Sequence, residues 1–314
     1  MQSIRSLMAG LIDYAGLYPP AALPMSLASE DYARSTRGEH EWILGRFICP
    51  ASRLREFSQA ASVMMPGTAG TSGYREHAEV LEPWTLSVII DGELPADLET
   101  IDRFNAHHAD EDHGRAVIDA IEMKIDSPDR IDAAMDEIPE DIYPFFEFPF
   151  DLVAKGDVRG CIAALAGEPI GAKIRTGGVT PEAFPSPAAI AKFMIACHAA
   201  SVPFKATAGL HHPVRSEHPL TYKPDAPRGT MHGFLNVFLA ATMLHAHNAE
   251  ESRLVALLEE KDPGAFKFTD EGVRWNGLFA EDAHIAAARE AFCLSYGSCS
   301  FDEPVEDLKK LKLL

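Results

Sequence analysis

The sequence predicts a (β/α)8 barrel, and three observations predict it. Short apolar runs alternate with segments of helical period nearly from end to end, the pattern of a parallel sheet with covering helices. Eight such runs occur, and eight units favour closure over an open sheet. No GxGxxG follows the first run, which lowers the case for an open dinucleotide-binding sheet.

Taken in order, residues 10–18 (GLIDYAGLY) stop at Pro19-Pro20, and 43–49 (ILGRFIC) stop at Pro50. Residues 84–90 (WTLSVII) end at Asp91-Gly92, 120–125 (AIEMKI) at Asp126-Ser127, and 142–148 (IYPFFEF) at Pro149. Residues 170–174 (IGAKI) lead into Arg175-Thr176-Gly177-Gly178, 202–207 (VPFKAT) into Ala208-Gly209, and 291–296 (AFCLSY) into Gly297-Ser298. Each run is short, apolar or β-rich, and closed by turn residues. Amphipathic helices fill the gaps at 52–64, 95–107, 127–136, 186–200 and 281–290. Residues 66–80, rich in Gly, Thr and Ser, are expected as a loop.

Residues 208–290 exceed what one connection needs, so an extended helical insertion between strands seven and eight is expected. It holds a Pro/His-rich loop (211–229), an apolar helix (231–247), a charged helix near 250–261 and a small winged segment around 266–275. The apolar helix is expected to bury its face in an oligomer or in the insertion's own core, with His232 and Asn236 able to reach over the mouth as a lid. No second domain is marked, so residues 1–314 form a single barrel domain.

Hydrophobic residues are 46% and charged residues 24% of the 314, enough core for a large domain. The formal net charge of −19 argues against nucleic acid and anionic membranes as partners. Five cysteines are scattered without a CxxC, which points to reduced thiols. The N-terminus lacks a signal-peptide core and no run of 18 apolar residues occurs, so a cytoplasmic protein is expected.

In barrels the working residues sit where strands end. Here those are Asp13, Arg46, Asp91, Glu122 with Lys124, Glu147, Lys173 with Arg175, Lys205 with His211 and His212, and Ser298 with Ser300. Lys173 and Lys205 stand out, 32 residues apart, about one βα unit. An inward lysine is costly to bury charged, and a neighbouring ammonium depresses it further. The free amine so produced attacks carbonyls. Gly177, Gly178, Gly209 and Gly297 mark turns whose amides can approach an anion, with Ser298 and Ser300 as hydroxyl donors. Adjacent His211 and His212 point opposite ways, so one of them enters a site. Glu147, amid aromatic residues, needs a cationic partner such as Lys173 or Arg175. His107, His108 and His113 read as an exposed, charged helix end.

LIDYAGLYPPAA (11–22), RFICPASRL (46–54), AKIRTGG (172–178), FKATAGLHH (204–212) and YGSCS (296–300) follow one another in order. Together they resemble the class I deoxyribose-phosphate aldolase family, a (β/α)8 barrel that cleaves a sugar phosphate through a lysine Schiff base. The resemblance implies Lys173 as nucleophile and Lys205 as the neighbour that lowers its pKa. It implies Asp13 as the first-strand aspartate and Gly297, Ser298 and Ser300 as the phosphate cradle. The chain departs from that family in three ways. His211 stands at the family's strand-seven arginine, Arg175 replaces a small residue, and the proton-relay aspartate has Asp91 as its nearest counterpart. A distant relative with a different substrate is implied, needing no cofactor or metal.

The expected function is therefore a lyase acting through Lys173 on a small phosphorylated or carboxylated carbonyl compound. Lys205, Asp13, Glu147 and His211 complete the catalytic set. Arg175, Gly177, Gly178, Gly209, His212, Gly297, Ser298 and Ser300 form the anion-binding set. Two rivals remain open: a metal-dependent hydrolase or isomerase using Glu147, His211 or His212, and a non-catalytic metabolite-binding barrel. The expected partner is an anionic small molecule, with a homo-oligomer built on the apolar helix.

Overall fold

The computed structural model describes residues 1–67, 82–155 and 158–314. Residues 68–80 of the expected Gly/Ser-rich loop lie outside the described residues. The first seven barrel strands are β1 (Ile12–Tyr14), β2 (Leu44–Pro50), β3 (Trp84–Ile89), β4 (Ala116–Lys124), β5 (Tyr143–Glu147), β6 (Gly171–Arg175) and β7 (Phe204–Thr207). A long connection comes next, with β8 (Ser216–Pro219), β9 (Arg228–Met231), β10 (Lys267–Phe268), β11 (Gly272–Trp275) and β12 (Leu278–Glu281). β13 (Cys293–Ser298) then pairs with both β7 and β1 and closes an all-parallel, eight-stranded barrel. The protein is a (β/α)8 barrel.

Each apolar run of the sequence contains a barrel strand. β4 starts four residues earlier than the apolar run, because Asp119 does not interrupt it. Its carboxylate takes both Nε and Nη2 of Arg46 at 2.7 Å, so two charges that look out of place on separate strands neutralise each other. Arg46 is thereby committed to this pair and does not line the mouth cavity. Outside the barrel, Phe47 of β2 packs on Tyr32 and Phe57 with ring centroids 5.4 and 4.9 Å apart, and Tyr32 meets Trp84 at 5.0 Å. This aromatic cluster fastens helices Met25–Ser35 and Leu54–Ala61 to the sheet.

Helix Pro187–Ala199 shows why the local sequence folds as it does. Pro187 occupies its first turn, where no amide is needed, and the Ser186 hydroxyl accepts from the Ala189 amide. The turn after β7 places Ala208 and Gly209 both at positive φ, 62° and 74°. Gly209 packs there against Gly177, and a Cβ on either would sit 2.8 Å from the other's Cα.

The connection between β7 and β13 is less helical than its composition predicts. β8 and β9 form an antiparallel hairpin, and β10, β11 and β12 a three-stranded antiparallel sheet over the expected wing. Helix Phe234–His247 is buried from Phe234 to Leu244, packed within this chain among helices Pro187–Ala199, Glu251–Glu259 and Asp282–Ala291. It serves as an outer-layer helix of the barrel, so the lid expected of its first residues is not what they form. Asn236 instead accepts from the Arg215 amide and donates to Leu257 and Glu260 carbonyls. His232 donates Nε2–H to Pro185 and accepts from Arg215 at Nδ1. These bonds lock the insertion to the barrel. His108 also differs from expectation. It is buried, with Nδ1–H donating to Gly114 and Nε2 accepting from Ser58. Among the described residues, no helix is long and apolar enough to cross a membrane.

Candidate active site

Strand alternation sends every second side chain into the barrel, and register stacks the inward residues side by side. Glu147 pairs with Lys173, Lys173 with Lys205, and Lys205 with Ser295 across β5, β6, β7 and β13. Glu122 of β4 reaches the middle of this row. Its Oε2 lies 2.7 Å from the Lys173 ammonium and its Oε1 2.7 Å from the Lys205 ammonium, and Ser87 donates to Oε1 at 2.8 Å. Lys173 also meets Glu147 at 2.5 Å, and Lys205 meets Asp13 at 2.6 Å. Asp13 is held in turn by the Ser295 hydroxyl at 2.7 Å and the Arg46 amide at 2.9 Å. Arg175, two residues beyond Lys173, closes on Glu147 at 3.3 Å.

Three carboxylates (Asp13, Glu122, Glu147) therefore balance three cations (Lys173, Lys205, Arg175) in one chain of contacts. Burial works against every charge in it, and paired neighbours offset that cost. Burial pushes the Glu122 carboxyl up, but the Lys173 and Lys205 ammoniums outweigh it and hold it well below its ordinary range. Glu147 is held low in the same way by Lys173 and Arg175. Burial pulls the Lys205 amine down, yet Asp13 and Glu122 more than restore it, so it stays charged. The expectation that Lys205 would depress Lys173 is thus corrected. Glu122 stands between the two ammoniums, and Lys205 spends its charge on carboxylates.

The two lysines differ in how they are held. Both Lys205 contacts meet hydrogen-bond geometry, whereas the Lys173 contacts are close ion pairs without that alignment. Lys205 is fully buried, while Lys173, 4% exposed, reaches the floor of a cavity of about 1130 Å³ at the C-terminal mouth of the barrel. Lys173 is therefore the amine that a ligand can meet.

Glu147, Arg175, Gly177, Gly178, His211 and Gly297 line that same cavity. His211 donates through Nδ1 to Glu303 at 3.0 Å, which leaves Nε2 for a ligand. The remaining expected residues lie elsewhere. Asp13 and Lys205 form the layer beneath the floor. Gly209 backs Gly177 without lining the cavity. His212 turns away, bonded to Asp307 at 2.7 Å and stacked on His218 with centroids 3.4 Å apart. Ser298 donates to the Ser300 carbonyl, and the Ser300 hydroxyl accepts from the Glu303 amide. Those hydroxyls are spent on the turn that opens helix Asp302–Lys310, so the expected cradle keeps only Gly297 in the cavity wall.

Two residues were missed as site members. Glu122 was visible as a polar strand-end residue, and the bridging carboxylate is Glu122 on β4 and not Asp91, which binds Ser52 instead. Tyr18 lies in the loop after β1 and lines the cavity. Its buried hydroxyl has no partner among the described residues, and burial keeps the phenol protonated. Among the described residues, no group of three His, Cys, Asp or Glu side chains could hold a metal ion. Compared with known proteins, the chain matches no family model, no curated protein and no solved structure.

Proposed function

We propose that this barrel is a lyase that forms a Schiff base between Lys173 and an anionic carbonyl compound. One observation carries the reading. The Lys173 ammonium lies at the floor of a large cavity between two carboxylates, with Arg175 two residues on along the same strand. The ordered motifs shared with the class I deoxyribose-phosphate aldolases support it as well.

Each group has a chemical task. A carbonyl compound entering the cavity displaces Glu147 from Lys173, and the proton leaving the ammonium goes to that carboxylate. The free amine adds to the carbonyl carbon, and the carbinolamine oxygen leaves as water after taking a proton from Glu147 or the Tyr18 hydroxyl. The protonated imine then accepts the electron pair of the breaking carbon–carbon bond. His211, oriented by Glu303, takes the proton from the hydroxyl that becomes the departing carbonyl. Protonation of the enamine and hydrolysis of the imine restore Lys173. Lys205 stays a fixed cation that keeps Glu122 ionised. Arg175 gives only Nε to Glu147, so its terminal nitrogens face the substrate's anionic group.

The test is reductive trapping with cyanoborohydride in the presence of pyruvate, hydroxyacetone or glyceraldehyde 3-phosphate, read by intact mass and peptide mapping. The expected result is one adduct on Lys173, absent in Lys173→Ala. No adduct on Lys173 from any carbonyl compound overturns the reading. A folded Lys173→Ala variant that keeps full turnover of a substrate does so too.

A further inference from the structure

We infer that the substrate carries a bulky alkyl or aryl arm beside its anionic carbonyl end, seated in an apolar lobe of the same cavity. This deepens the Schiff-base reading and rests on it.

The size of the cavity is the first reason. Clefts that enclose drug-sized ligands run to about 300–1,000 Å³, and this one is about 1130 Å³. A three-carbon oxo acid at Lys173 leaves most of it filled with water. The second reason is how its wall is divided. Glu122, Glu147, Lys173, Arg175 and His211 gather on one side. The other side is formed by Ile89 and Ile90 at the end of β3, Leu94 just beyond, Met123 of β4, Ala134 of helix Asp129–Met135, and Val179 after β6. Strand ends in a barrel carry the residues that work on the ligand, and here two of them turn aliphatic. Val179 is 38% exposed, one of few large hydrophobic side chains in this state among the described residues. Covering such a wall removes apolar area from water, a gain that grows with the area covered. Ala134 is small where a larger residue would fill the lobe. At its rim Lys124 and Arg130 stand with Glu93 and Glu137, so the charges cancel and select no charged group at that end.

The experiment compares pyruvate with 2-oxo-4-phenylbutanoate in cyanoborohydride trapping at Lys173. It uses the wild type and the variants Ala134→Trp, which fills the lobe, and Val179→Asp, which charges it. The wild type is expected to trap the aryl compound at least about tenfold faster, the discrimination that even a single methylene gives in an apolar pocket. Both variants are expected to cut that ratio at least about fivefold while keeping the wild-type circular dichroism. Pyruvate trapped at Lys173 as fast as the aryl compound overturns the lobe and leaves the Schiff base standing. If neither compound is trapped, the Schiff base fails and calorimetry with 4-phenylbutanoate, which has no ketone, decides the lobe. Saturable binding weakened by both variants supports it, and absence of binding overturns it.

Discussion

Replacing Glu122 with glutamine tests whether the barrel interior is the balanced charge chain described above. Glu122 is 1% exposed and, among the described residues, is the single carboxylate that touches both lysines. The glutamine would be neutral and would present one carbonyl oxygen and one amide nitrogen. Whichever way it turns, the amide N–H groups face an ammonium, and one of the two lysines loses an acceptor. The interior then carries one uncompensated positive charge. Removing one partner of a buried pair costs about 3–5 kcal/mol, a large share of the roughly 5–15 kcal/mol that holds a domain folded. With a urea dependence near the upper end of about 1–3 kcal/mol/M, the midpoint should fall by about 1–2 M.

The pH dependence of that difference has a definite sign. Glu122 binds its proton less readily in the fold than its ordinary 4.5, so its contribution is present above that value and is lost as pH falls further. Lys205 is raised above its ordinary 10.5, so its contribution is present below that value and lost as pH rises through the folded value. The gap between wild type and Glu122→Gln should therefore be level from about pH 5 to pH 10 and narrow on the acid side. Urea unfolding followed by circular dichroism and by fluorescence of the buried Trp84 and Trp275 measures it. A midpoint at pH 7 within about 0.3 M of wild type, less than roughly 1 kcal/mol, would refute the charge chain.

Gly209→Val places a β-branched residue at a φ of 74° and its Cβ 2.8 Å from the Gly177 backbone. A loss of about 1–3 kcal/mol and a Tm lower by several degrees are expected in calorimetry. Phe238→Ala empties a fully buried position against Tyr296, ring centroids 5.7 Å apart, and should cost about 3–5 kcal/mol in urea. Because that helix is packed inside its own chain, sedimentation should show no change of oligomeric state. Burial, with Arg215 beside it, pulls His232 down to about 4 from 6.5. The unfolded chain binds the proton first, so stability should fall as pH drops from 6.5 to 4. His232→Gln should flatten that slope by something on the order of 1–3 kcal/mol.

The architecture was legible in local order along the chain. Strand alternation, turn residues and helical period are properties of near neighbours, so all eight barrel strands and the long connection after β7 could be read from end to end. The same local rule sent Lys173 and Arg175 inward together. It marked His211 and His212 as pointing opposite ways, and His211 is the one that lines the cavity. What local spacing does not carry is which charges meet. Lys205 and Asp13 stand 192 residues apart and touch only because β13 closes the ring between β7 and β1. That closure made Glu122 the bridge between the lysines and turned Lys205 from a neighbour that perturbs Lys173 into the partner of two carboxylates. The hydroxyls of Ser298 and Ser300 were likewise settled by the next element in the chain, a helix whose first turn takes them before any ligand can. The apolar helix that reads as an interface met its partners within the chain, because the insertion folds back over it. Periodicity is written locally, whereas electrostatic balance and burial are sums over everything that folding brings within a few ångströms.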